Sequence, residues 1–261
     1  MTYGFEILEN IFLQSNAPLF SEDGQEAIFD KTTGLINGRN ENLGEKALDF
    51  FTSFADDRFR HYTWNEFVAG EQPLADYTEF LKGNVSMVFG FTRDYERLKA
   101  LRQQIQQNRQ TVIPEGDIRV TFLPQFTDPS LPTRKVVGQV QSLAVSKHSQ
   151  FPDTAWGFLK FAIGKDQLQS WHEKTQLPTP RVDLLVEQEA TPYIGIFVRQ
   201  AKFAEGAVSP VDLADLSREL TNSVNQIQDR KWTVLQGLQK AAANINNNLQ
   251  SIVRKKREIE S

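Results

Sequence analysis

Three histidines, His61, His148 and His172, are the only imidazoles in the chain, and they are scattered along it. None has a second histidine or a carboxylate at the spacing that would place two ligands on one metal ion. The chain has no cysteine, so thiolate ligands, thiol nucleophiles and disulfides are excluded. No phosphate-cradling glycine loop, His-Glu-x-x-His or Gly-x-Ser-x-Gly is present. The paired acids Asp56 and Asp57 sit at an expected helix end, where they face water. These residues predict neither a catalytic set nor a metal nor a cofactor, so the expectation is a non-enzyme.

The chemistry that remains is recognition. Tyr62, Trp64, Asn65 and Glu66 fall together in a loop. An exposed indole can cover the apolar face of a pyranose while a neighbouring amide and carboxylate bond its hydroxyls. The competing reading is that Trp64 plugs the loop against the core. The residues alone leave the two open.

The chain has 261 residues, 39% hydrophobic and 11% aromatic, which is enough for a real core in one or two domains. Its 29 basic and 33 acidic residues give a net charge of −4, without the basic excess of a nucleic-acid binder. The basic run Arg254–Arg257 ends an amphipathic helix, where the helix dipole favours cations. No apolar run approaches the roughly 20 residues that span a bilayer. The first twenty residues lack a basic start and carry Glu6 and Glu9, so they do not read as a signal peptide. The expectation is a cytoplasmic protein, or an exported one whose precursor began earlier.

The elements that must position these residues read as alternating helices and strands. Helical spacing predicts helices over residues 4–16, from Asn42 to Phe54, 74–81 and 93–109. Further helices are expected over 152–163, 167–173, 193–205, 211–228 and 232–252. Asn42 reads as an N-cap, Pro152 as a helix start, and Gly83 and Gly164 as stops. A short strand is expected at residues 27–29. Apolar runs predict strands over residues 84–91, 117–123 and, unusually long, 136–145. Gly138 and Ser142 keep one side of that long strand approachable, as a ligand cleft requires. The order implies an α/β layer arrangement with mostly parallel strands.

The segments ENLGEKALDFFTSFAD, YTWNEF, FLKGNVSMVFGF, VTFLPQF, VVGQVQSLAVSKHSQFPDTAWGFLKFAIGKDQLQSW and TQLPTPRVDL, in this order, resemble the family 1 extracellular solute-binding proteins of ABC transporters. This is the maltose-binding-protein-like group, and the resemblance covers about residues 5–250. It implies a type II periplasmic-binding-protein-like α/β fold with one complete C-terminal lobe and a partial N-terminal lobe. Residues 1–141 and 191–261 would form the C-terminal lobe, and residues 142–190 an excursion into the N-terminal lobe. Family members are substantially longer, so the chain corresponds to their later portion.

The resemblance further implies extracytoplasmic binding of a solute, commonly a sugar or oligosaccharide, for delivery to ABC-transporter membrane subunits. Ligand contact would fall to Trp64, Asn65 and Glu66 in the loop, and to Phe91 at a strand end. Arg93 stands where the maltose-binding member has a stacking aromatic, which leaves Tyr95 to stack. Gly138 and Gln139 on the crossing strand, and Arg218 on a later helix, complete the set. Trp156, Phe158, Phe161 and Trp171 are expected to be core residues. With most of the first lobe lacking a counterpart, residues 144–190 are expected to expose that apolar load, fold it inward or self-associate. The second function class is therefore a non-catalytic interaction module, binding a partner or a separately encoded first lobe through that face.

Overall fold

The computed structural model describes residues 3–64, 74–127, 134–139, 142–206 and 209–260, with side chains to Arg254 in the last stretch. The chain divides into two compact units. The first comprises Met1–Asp76, Pro124–Val137 and Glu205–Ser261; the second comprises Tyr77–Leu123 and Gly138–Ala204.

The first unit is built from helices α1 (Gly4–Gln14) and α2 (Leu43–Ser53) and an antiparallel hairpin of β1 (Thr33–Ile36) and β2 (Arg39–Asn42). Two helices near the end of the chain complete its core; in the numbering used below they are α9 (Leu213–Gln228) and α10 (Val234–Glu260). Leu8 and Phe12 of α1, Leu48 and Phe51 of α2, Leu216 and Leu220 of α9, and Leu238 and Ile245 of α10 form one buried cluster. The helical spacing of these apolar residues is what makes each element present one face to the others.

Local chemistry sets the ends. The Asn42 side chain accepts from Glu45 N at 2.9 Å, capping α2, and its amide donates to Asp30 O at 2.6 Å. Gly44 lies so close to Phe29 that an added Cβ would sit 1.8 Å from its carbonyl oxygen, so only glycine fits. Ser223 of α9 donates to Gly237 O of α10 at 2.9 Å, which lets the two helices approach closely. Polar residues of α1 hold returning chain: Asn10 Oδ1 accepts from Val137 N at 2.8 Å, and the Gln14 amide donates to Pro124 O at 3.1 Å.

The second unit contains α3 (Ala75–Leu81, from Tyr77 on), α4 (Asp94–Gln107), α5 (Pro152–Ala162), α6 (Lys165–Thr175), α7 (Leu185–Glu189) and α8 (Ile194–Ala201). Tyr77, Leu81, Leu184, Ile194 and Val198 are among its buried side chains. Buried Thr179 and Gln188 exchange hydrogen bonds of 3.0 and 2.7 Å, fastening the loop after α6 to α7. Two short strands, β3 (Val136–Gly138) and β4 (Ala204–Gly206), pair where the chain passes from one unit to the other.

Most helix expectations hold to within about four residues, with Pro152 in the first turn of α5 and Gly83 at φ +82° after α3; the last helix runs eight residues past its expected end at 252, and α7 lies outside every expected helix. The strand expectations need correction. Residues 84–91 and 117–123 are not laddered strands, and among the described residues of 136–145 only Val136–Gly138 is a strand. A strand exists only where a neighbouring strand takes its backbone bonds, and among the described residues no strand is laddered to these segments. The early hairpin forms at Thr33–Asn42; Ala27 makes only an isolated bridge with Phe20. Trp156, Phe158 and Phe161 are not core residues: they are 52%, 62% and 61% exposed, and α5 buries no side chain at all. Trp171 of α6 is also exposed.

Glu9 is an acid on the buried side of α1. Burial, with a smaller push from Glu6, raises its carboxyl from 4.5 to about 7. Its contribution to stability is full below about pH 4.5 and is lost as pH rises through about 7. The expected loss between those limits is at most about 3–4 kcal/mol, at about 1.4 kcal/mol per pKa unit. Glu9→Gln should flatten that slope in urea unfolding across pH 4–8; equal slopes for variant and wild type would refute the assignment.

Candidate functional site

The turn joining residues 84–91 to α4 brings together three of the nine candidate contacts. Three groups build it, all within the second unit. Buried Tyr77 donates its hydroxyl to Phe89 O at 2.9 Å. The Asp94 carboxylate, 4% exposed, accepts from Phe91 N at 2.7 Å and holds Arg97 at 3.2 Å. Gly90 sits between them, where an added Cβ would lie 2.8 Å from the Tyr77 hydroxyl. The backbone of residues 89–94 is thus fixed from both sides by buried polar side chains.

On that frame the Arg93 guanidinium lies over the Phe91 ring, 5.0 Å from its centroid, and donates to Gln139 Oε1 at 2.8 Å. Gln139 follows Gly138, the last residue of β3. The structure therefore unites Phe91, Arg93 and Gln139, which lie 46 residues apart between Arg93 and Gln139. This is a ring, a cationic fork and an amide: a set able to bond polar oxygens beside an apolar surface.

Tyr95 is engaged elsewhere. Its ring stacks on Tyr193 at 4.4 Å and 23°, and Lys99 Nζ lies 4.9 Å from its centroid. Burial first, and the Tyr193 hydroxyl second, push its phenol well above the ordinary range. Tyr193 also lines a cleft of about 450 Å³ with Gly116, Arg119, Val120, Pro192 and Ile196.

The other candidates lie in the first unit. Trp64 is half-buried, packs on the core and meets Phe51 edge-on at 4.9 Å. Asn65 and Glu66 lie outside the described residues. Arg218, on α9, pairs with Asp215 at 2.6 Å and Glu219 at 3.8 Å. Tyr77, Gly90, Asp94 and Tyr193 were not singled out by sequence reasoning. An acid three residues after Phe91, at a helix start, is the one signal that could have pointed to Asp94. Among the described residues no group of three or more His, Asp or Glu could hold a metal ion, and no helix is long and apolar enough to cross a membrane.

Comparison with known proteins gives two kinds of match. The sequence profile described as bacterial extracellular solute-binding protein matches residues 8–193. Among solved structures, a cyclo/maltodextrin-binding protein complexed with maltotetraose superposes with a TM-score of 0.71 at 16% identity, covering 94% of this chain and 57% of that one. A cyclic alpha-maltosyl-1,6-maltose binding protein from Arthrobacter globiformis gives 0.55 at 15% identity, covering 94% and 56%. No curated protein matches. The chain spans a little over half the length of these solved relatives.

The geometry of the turn makes a direct prediction. Gly90→Ala forces its new methyl against the Tyr77 hydroxyl and should cost about 1–3 kcal/mol in chemical unfolding. In a Tyr77→Phe background the same change should cost little, giving a coupling of at least about 0.5 kcal/mol. Additive losses would show that the close approach is not what requires glycine at position 90.

Proposed function

The chain belongs to the bacterial extracellular solute-binding proteins and has the type II periplasmic-binding-protein fold of their maltose-binding-like members, and from this premise we propose that it binds a carbohydrate outside the cytoplasm for uptake. The profile match over residues 8–193 is the observation that carries the reading. The named ligands of the solved relatives, maltotetraose and cyclic maltosyl-maltose, support a saccharide as the solute. The partners are the membrane subunits of an ABC transporter. The role is delivery, not catalysis.

In this reading Arg93 and Gln139 bond sugar hydroxyls, with Phe91 backing the guanidinium and Gly138 leaving room for the ligand. Trp64, Asn65, Glu66 and Arg218 are proposed separately as ligand contacts of the C-terminal lobe, and Tyr95 through its pairing with Tyr193. The lobe division follows the family, not compactness: residues 1–141 and 191–261 in the C-terminal lobe, and 142–190 as an excursion into the N-terminal lobe.

The bare face of α5 favours a second reading beside the first. Phe151, Trp156, Phe158, Phe161 and Ile163 are all more than half exposed. Soluble monomers rarely show a contiguous apolar patch above a few hundred Å². The chain could serve as an interaction module, with this face covered by a partner or by a separately encoded first lobe.

Calorimetry with maltooligosaccharides tests the first reading: saturable binding is expected, with no heat from an amino acid. Saturable binding of the amino acid and none of any saccharide would overturn it. Hydrogen exchange tests the second: residues 152–162 should exchange much faster than residues 234–249 in the isolated chain. Equal protection would show the face already covered.

A further inference from the structure

We infer that the Phe91–Arg93–Gln139 cluster recognises an acidic saccharide, a sugar carrying a carboxylate or a phosphate, with Arg93 as the specificity-determining residue. This deepens the carbohydrate reading above and rests on it.

Of the other arginines in the second unit, Arg109 is exposed and Arg199 lies over the Phe122 ring, 5.8 Å from its centroid. Arg97 and Arg181 have carboxylates, Asp94 at 3.2 Å and Asp183 at 2.8 Å. Arg102 donates to the Ile113 carbonyl at 3.0 Å, and Arg119 to the Ile118 carbonyl at 2.9 Å. Arg93 is held differently. Its one hydrogen bond goes to the neutral Gln139 amide, and its plane is backed by the Phe91 ring. Among the described residues no carboxylate lies within ion-pair distance of it, although Asp94 is its immediate neighbour in sequence. The Asp94 oxygens are committed to Phe91 N and to Arg97.

A guanidinium carries five N–H donors in one plane. Gln139 takes one, which leaves a fork on an exposed residue with a fixed location. The Phe91 ring lies beside the guanidinium, 5.0 Å from Cζ to its centroid, and helps to hold the cation in place. A hydroxyl would satisfy a single donor. A carboxylate or phosphate would take two in parallel, with charge-assisted bonds about twice as strong as neutral ones. The backbone that carries Arg93 is pinned by Tyr77 and Asp94, so the fork is held in place before any ligand arrives.

Calorimetry on the full chain decides, using maltotriose, the same trisaccharide ending in glucuronic acid, and its terminal phosphate ester. At least one acidic sugar should bind tenfold or more tighter than maltotriose in low salt. The gap should narrow as ionic strength rises. Which of the two binds tighter names the anion. Arg93→Gln should bring the acidic sugar down to the level of maltotriose, while Arg93→Lys keeps part of the preference; unfolding midpoints of both variants confirm that they fold. Equal binding of acidic and neutral sugars by the wild type, or a preference that survives Arg93→Gln, would overturn the inference and leave carbohydrate binding standing. Absence of binding to all three would overturn the carbohydrate reading and this inference with it.

Discussion

Extended backbone must find hydrogen-bond partners outside itself, whereas a helix satisfies its own interior. That constraint explains what is regular and what is not in this chain. The first unit meets it with local means: four long helices and a hairpin whose two strands are separated by two residues, Asn37 and Gly38, both at positive φ. In the second unit the helices form, but among the described residues no strand lies laddered beside residues 84–91 or 117–123. Side chains take over part of the task there. The Tyr77 hydroxyl and the Asp94 carboxylate bond the backbone at Phe89 and Phe91, and the Gln200 amide oxygen accepts from Leu123 N at 2.7 Å.

The same constraint accounts for how much could be read from the sequence. Elements set by nearest neighbours were legible: the Asn42 cap, Pro152 in the first turn of α5 and Gly83 after α3 all appear where the residue types place them. Strands were not, because an apolar run such as Asn84–Phe91 records a tendency to be covered on both faces, and says nothing of whether a neighbour is present. In this chain Met87 is 78% exposed in that run. Among the described residues of the long strand expected over 136–145, three form a strand, for the same reason. At the turn, Arg93 and Gln139 were singled out through family resemblance. Tyr77 and Asp94, which fix their frame, were not, because a tyrosine in an amphipathic helix and an acid at a helix start have ordinary local explanations.

Burial separates the two kinds of apolar helix in the chain. In α10, Leu238, Ala242, Ile245 and Leu249 repeat at helical spacing and all are buried. In α5 the same kind of spacing places Ala155, Leu159 and Ala162 on a half-buried side, while the larger Trp156, Phe158 and Phe161 face outward. Small residues inward and aromatic residues outward reverse the usual order for a surface helix. At about 25 cal/mol per Å², covering three aromatic side chains is worth several kcal/mol, comparable to a fair fraction of the stability of a domain. The sequence of α5 is thus suited to a helix with a covered outer face.

At the turn, buried and exposed groups divide the task. Tyr77 and Asp94 are nearly inaccessible and spend their polar atoms on backbone, so a ligand would gain nothing from them directly. Arg93 is exposed and its fork is only partly used. Had Asp94 paired with Arg93, the turn would lose either its backbone anchor or its free cation. The ion pair with Arg97, one helical turn along, avoids this: it neutralises the buried carboxylate within α4 and, among the described residues, leaves the neighbouring guanidinium without an acid. Gly90 completes the arrangement by letting the Tyr77 hydroxyl reach the backbone at Phe89. The positioning of Arg93 therefore depends on three residues that would not touch the ligand.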